Sequence, residues 1–164
     1  MSALVKEITE TEIAESSEII RQSFKTVADE FNLTKEKVPT NGAFLEDSRL
    51  LEEYSSGIKM FGIFEGESQI GFIALEQKDH EMFYLEKLSI LPEYRHKGYG
   101  KALVDFAVEY VKSLGGKIIS IGIIYENIRL MEWYKKLGFI ETGTKVFSHL
   151  PFTVCFLDLV CDGK

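Results

Sequence analysis

The sequence predicts a mixed α/β fold (α+β mixed): a twisted, mixed sheet of about seven strands flanked by about four helices, in the order β-α-α-β-β-β-α-β-α-β-β. Three observations carry the prediction. Strand-like runs follow one another closely between Ile58 and Leu91, with a hairpin signal at Glu65-Gly66-Glu67-Ser68. The stretch Gly100 to Leu114 spaces its apolar residues as one face of a helix. Beyond it helix and strand alternate, and the nearly continuous apolar run Lys117 to Tyr125 marks a strand buried on both faces.

Taken in order, Leu4 to Ile8 alternates weakly and predicts a first strand. A helix follows from about Thr11, with Ile13, Ile20, Phe24, Val27 and Phe31 at mixed three- and four-residue steps. Asn32 to Ala43 contains Pro39, Asn41 and Gly42 and reads as a loop. Phe44 to Tyr54 predicts a second helix. Ile58 to Phe64 and Gln69 to Leu75 form the hairpin, polar Gln77 to Glu81 turns the chain, and Met82 to Leu91 is the next strand. The third helix presents Leu103, Phe106, Ala107, Tyr110, Val111 and Leu114 on one face and ends at Gly115-Gly116. The strands Met82–Leu91 and Lys117–Tyr125 should be parallel, joined by a right-handed crossover. Asn127 caps a fourth helix running to Leu137, and Gly138 ends it. Ile140 to Phe147 and Phe152 to Val160 make a final antiparallel pair.

A length of 164 residues fits one domain, residues 1–164, large enough to bury a core without metal or disulfide. The net charge of −7 disfavours general binding to nucleic acid or anionic membrane. Cys155 and Cys161 lack CxxC spacing, and His80, His96 and His149 lack ligand spacing, so no metal site is expected. The first fifteen or so residues lack a signal-peptide pattern, and no apolar run approaches the ~20 residues of a membrane span. The chain therefore reads as cytoplasmic.

Against that acidic background, one basic turn stands out. Arg95-His96-Lys97-Gly98-Tyr99-Gly100-Lys101 lies between a strand and a helix and contains no acid. Its glycines permit a tight turn and close approach of a ligand. The first N–H groups of the helix are unpaired, and the helix dipole adds roughly 0.3–1 kcal/mol for a nearby anion. Together these make a pyrophosphate site. A Walker loop needs GxxxxGK[ST] and a dinucleotide fingerprint needs GxGxxG; Leu103 stands where the latter has its third glycine.

Here the chain resembles the GNAT superfamily of N-acetyltransferases. Arg95, Gly98 and Gly100 match its [RQ]-x-x-G-x-[GA] loop, and Leu88-Ser89-Ile90-Leu91-Pro92 is similar to its L-x-V-x-P strand end. Asn127, Tyr134, Gly138 and Phe139 match its N-x(6)-Y-x(3)-G-F helix. Leu130 departs from the small residue usual at its position. The resemblance implies acetyl-CoA as co-substrate, with no metal, held where the strands Met82–Leu91 and Lys117–Tyr125 splay apart. By that resemblance the backbone of Leu88, Ser89 and Ile90 bonds the pantetheine arm. Backbone N–H groups of His96, Lys97, Gly98, Tyr99, Gly100 and Lys101 hold the pyrophosphate, and Asn127 lies near the arm.

Acetylating an amine requires its deprotonation, polarisation of the thioester and protonation of the departing thiolate. The resemblance places the Tyr134 hydroxyl near the coenzyme sulfur, as general acid. Met131, Tyr134 and Leu137 share one side of their helix, which agrees. Glu86, two residues before Leu88, is the candidate base, directly or through water; burial there would raise its pKa. Alternation puts Glu86 and Leu88 on one side of the sheet, with Lys87 and Ser89 on the other. The expected activity is transfer of acetyl to a primary amine of a small molecule or peptide, by direct attack. The acceptor pocket is expected between Phe24 and Phe44 and between Val146 and Phe152. The alternative is a non-catalytic acyl-CoA sensor. A nucleic-acid binder would need a broad basic face, which is missing. A homodimer is left open.

Overall fold

A computed structural model describes residues 3–161. Among them, seven strands and four α-helices follow one another in the predicted order. They are β1 Leu4–Glu7, α1 Ile13–Glu30, α2 Asp47–Ser55, β2 Lys59–Glu65, β3 Ser68–Gln77, β4 Met82–Ile90, α3 Tyr99–Ser113, β5 Ile118–Ile124, α4 Ile128–Lys136, β6 Ile140–Val146 and β7 Thr153–Val160. The chain forms two compact units. Unit 1 holds the residues up to Glu76 together with Glu86–Ala107; unit 2 holds Gln77–Leu85 and the residues from Val108 on.

In unit 1 the strands run β1-β2-β3-β4, with β1, β2 and β3 antiparallel. Glu65 pairs with Ser68 across a two-residue turn, and Gly66 supplies the positive φ of 61° that the turn needs. Thr9 and Glu12 form a capping box before α1. The helix buries Ile13 and Ile20 in a core with Leu50, Met60, Phe64 and fully enclosed Phe72. Helix α2 starts at Asp47, later than the expected Phe44. Asn41 is the reason: its Oδ1 accepts the Ala43 N–H at 2.9 Å and bends Gly42–Phe44 into a 3-10 turn.

Unit 2 orders its strands β4-β5-β7-β6. The β4–β5 pairing is parallel as expected, over Met82↔Ile118, Phe83↔Ile119 and Tyr84↔Ser120. Strand β7 pairs antiparallel with both β5 and β6, so the later strand of the final hairpin is the inner one. Helix α3 fully buries Leu103, Val104, Ala107 and Val111, while Leu114 is 50% exposed. Of the expected apolar face, Leu114 alone leaves the core, because the helix ends at Ser113 and Leu114 lies in its closing turn. Both α3 and α4 close with paired reverse bonds over a left-handed glycine. Gly116 donates to the Val111 carbonyl and Gly115 to that of Lys112; Phe139 donates to Tyr134 and Gly138 to Lys135. The glycine φ angles are 81° at Gly115 and 105° at Gly138.

Candidate functional site

In unit 1 the chain leaves β4 through a 3-10 turn at Pro92–Tyr94, after the Leu91 N–H has bonded the Ile70 carbonyl at 2.9 Å. His96 (φ 64°) and Gly98 (φ 89°) then take left-handed conformations on either side of Lys97. Helix α3 closes its first bond from the Ala102 N–H to the Gly98 carbonyl, so the N–H groups of residues 99–101 precede any intrahelical acceptor. A Cβ built on Gly98 meets nothing within 4 Å. The turn thus presents backbone donors, open space and the exposed cations Lys97 and Lys101, an arrangement that fits a pyrophosphate.

The basic side chains divide their work. Lys97 lies over the Tyr94 ring at 5.6 Å, and Lys101 pairs with Asp105 at 2.8 Å on the surface. Arg95 turns away from the donors. Its guanidinium donates to the Ser23 carbonyl at 2.8 Å, the Ser23 hydroxyl at 3.2 Å and the Thr26 hydroxyl at 3.0 Å, all on α1. Arg95 therefore fastens the turn to α1, and its positive charge is directed there. The Tyr99 hydroxyl donates to Glu65, a bond that raises its pKa.

Strand β4 brings Glu86, Leu88, Ser89 and Ile90 to the same unit. Lys87 has a φ of 56°, rare for a residue with a side chain. This corrects the alternation expected over residues 86–89: the kink interrupts it. Ser89 and Ile90 are both buried, and the Lys87 ammonium comes within 3.9 Å of the Glu86 carboxylate. Lys87 also pairs with Glu53 of α2 at 2.8 Å, which holds the kinked residue. The Ser89 hydroxyl donates back to the Lys87 carbonyl at 2.9 Å. Glu86 sits among these charges with its pKa pushed up to about 7. Burial is the main cause, opposed by Lys87 and reinforced by Glu76 and Glu53. The sequence reading missed Glu53, Glu76 and the anchoring role of Lys87, since no local spacing ties these residues together.

Unit 2 carries Tyr134 and Asn127. Tyr134 is 5% exposed and stacks edge-on against Phe139 at 5.2 Å and Trp133 at 5.0 Å. Burial raises its pKa, so the phenol is neutral. Among the described residues its hydroxyl has no hydrogen-bond partner. Asn127 is buried and caps α4, its Oδ1 accepting the Leu130 N–H at 3.3 Å. That bond leaves the amide nitrogen free to donate.

These features coincide with what the chain resembles. The model of the acetyltransferase (GNAT) family matches residues 24–139. An uncharacterised N-acetyltransferase of Methanocaldococcus jannaschii is 32% identical over 78 residues, covering 44% of this chain and 34% of that protein. One of Bacillus pumilus is 36% identical over 100 residues, covering 54% of this chain and 62% of that protein. The chain thus spans between about a third and two thirds of these relatives' own lengths. The ribosomal-protein-S18-alanine N-acetyltransferase of Escherichia coli shares the fold, with a TM-score of 0.78, 13% identity, and coverage of 99% of this chain and 96% of that one. So does the paiA N-acetyltransferase of Thermoplasma acidophilum, solved in complex with coenzyme A, with a TM-score of 0.75, 21% identity, and coverage of 98% and 99%.

Proposed function

Because the chain belongs to the acetyltransferase (GNAT) family, we propose that it is an N-acetyltransferase which moves the acetyl group of acetyl-CoA to a primary amine of a small molecule or peptide by direct attack. The observation that carries the reading is the turn at residues 95–101, where left-handed His96 and Gly98 precede the unpaired N–H groups that open α3. In this reading residues 1–164 work as one catalytic domain in the cytoplasm.

Each residue takes a role its surroundings suit. Backbone donors from His96 to Lys101 hold the pyrophosphate, with Lys97 and Lys101 adding positive charge and Arg95 fixing the turn to α1. The backbone of Leu88, Ser89 and Ile90 bonds the pantetheine arm, and Asn127 contributes its amide. Bound acetyl-CoA supplies an acyl thioester. Glu86, with its pKa near 7, accepts the ammonium proton directly or through water. The amine nitrogen bonds to the carbonyl carbon, and the carbon–sulfur bond breaks with its electron pair on sulfur. Tyr134, the proposed general acid, donates a hydrogen bond to that sulfur, and the second proton released by the amine nitrogen ends on the departing thiol. The reading involves no metal, nucleic acid or membrane; among the described residues no helix is long and apolar enough to cross a bilayer.

The test is thiol release from acetyl-CoA in the presence of a panel of primary amines, with product masses recorded. Amine-dependent thiol release with a product heavier by one acetyl group supports the proposal. Coenzyme binding without turnover across small-molecule and peptide amines is the outcome expected of a non-catalytic acyl-CoA sensor.

A further inference from the structure

Among the described residues, Lys87 alone combines a side chain and a positive φ with a place inside a strand. Such a backbone persists where its surroundings hold it, and here the holding contact is ionic. The Lys87 ammonium lies 2.8 Å from Glu53 Oε1 on α2, with both side chains less than a fifth exposed. Glu53 is itself fixed. Its Oε2 lies 3.4 Å from Arg49 Nε one turn earlier, and its carbonyl accepts the Ser56 hydroxyl at 2.8 Å. On the other side of the kink, the buried Ser89 hydroxyl donates to the Lys87 carbonyl at 2.9 Å. All of these residues belong to unit 1.

One ammonium thus stands between two carboxylates, and it favours the one on the helix. Its distance to Glu86 Oε1 is 3.9 Å, about 1 Å beyond a charge-assisted hydrogen bond. The charged groups facing Glu86 are Lys87 on its own strand, Glu76 on β3 and Glu53 on α2. Burial favours the protonated form of Glu86 most, Lys87 favours the charged form, and Glu76 and Glu53 favour the protonated one. A lysine released from Glu53 would close on Glu86 and stabilise its charged form further, because attraction grows as the separation falls.

We propose that Glu53 is a positioning residue for the base: by binding Lys87 it holds that ammonium off the Glu86 carboxylate and so leaves Glu86 free to accept a proton. Its part in catalysis rests on the acetyltransferase reading; the coupling itself is measured without substrate. The test is carboxyl carbon-13 NMR of the full chain across a pH titration, for the parent, Glu53→Gln, Lys87→Gly and the two combined. The Glu86 signal is assigned by its loss in Glu86→Gln. Glu53→Gln should lower the Glu86 midpoint by about one unit, a ten-fold loss of proton affinity. Lys87→Gly, which suits the positive φ, should raise it. With Lys87 already replaced, Glu53→Gln should move the midpoint less than half as far, since only its direct field is lost. The acid limb of kcat/KM should follow the midpoint in each variant, whereas a merely structural role would lower the rate and leave the limb in place. The proposal is overturned by an unchanged or higher midpoint in Glu53→Gln, by an equal shift with and without Lys87, or by a limb that does not follow the midpoint. If Glu53→Gln does not fold, the other two variants decide: the Lys87→Gly midpoint must rise and that of the combined variant must lie close to it. A parent that transfers no acetyl group overturns the acetyltransferase reading, while the midpoints still decide whether Glu53 governs Glu86 through Lys87.

Discussion

At Tyr134 burial acts in one direction, raising the pKa so that the phenol keeps its proton. An ordinary thiol has a pKa near 8.5, so full transfer from this phenol to a thiolate runs uphill. In the proposed reaction its useful contribution would be a hydrogen bond to charge developing on sulfur. Tyr134→Phe should therefore lower kcat by about 10²–10³-fold while coenzyme affinity stays close to the parent's. Kinetics paired with calorimetry checks this, and an unchanged rate removes Tyr134 from the chemistry. Glu86 makes a prediction of opposite sign. A base with its pKa near 7 works when ionised, so kcat/KM should rise with pH through about 7, and Glu86→Gln should flatten that limb. The same shift weakens the fold. The folded pKa lies above that of an ordinary glutamate, so the folded state binds more protons and stability falls as pH rises from about 4.5 to 7. Denaturation at pH 4.5 and pH 8 should show Glu86→Gln gaining on the parent at the higher pH. Equal curves at both would contradict the half-buried, charge-crowded placement of Glu86.

At the scale of elements, the helix ends are the most directly testable features. Gly115 and Gly138 hold positive φ while their N–H groups cap α3 and α4. Replacing either with alanine should cost about 1–2 kcal/mol in urea denaturation, through the left-handed backbone alone at Gly115, where a Cβ meets nothing within 4 Å. Gly116→Ala should cost more than Gly115→Ala, since its Cβ would lie 2.5 Å from Val111 and 2.7 Å from the Phe83 ring. Equal stability of the two would mean that the packing around Gly116 relaxes freely. These stops were legible in the sequence because a glycine pair and a Gly-Phe after an apolar helix are local signals. The order β5-β7-β6 was not, because pairing between distant strands leaves no local mark. The kink at Lys87 was equally invisible: nothing around residues 86–89 signals a left-handed lysine, and its support comes from Glu53, 34 positions away.

For the whole molecule, motif spacing revealed more than composition did. Arg95, Gly98, Gly100, Asn127 and Tyr134 pointed to a family whose model matches residues 24–139. The direction of the Arg95 side chain was not legible, since its partners Ser23 and Thr26 belong to a distant helix. Nor was the use of Phe24: its ring packs on the unit 1 core and lies against Gly42, so this aromatic contributes to the fold. The turn at residues 95–101 is proposed to hold the pyrophosphate of acetyl-CoA. Its most direct test is thermal unfolding of the parent, Gly98→Asp and Gly100→Asp, with and without acetyl-CoA and free CoA. Coenzyme at about 100 times its dissociation constant should add about 2.7 kcal/mol, a rise of several degrees for the parent. Both variants should melt cooperatively without coenzyme and show no rise with it. An equal rise in the variants, or none in the parent at millimolar coenzyme, would contradict the account.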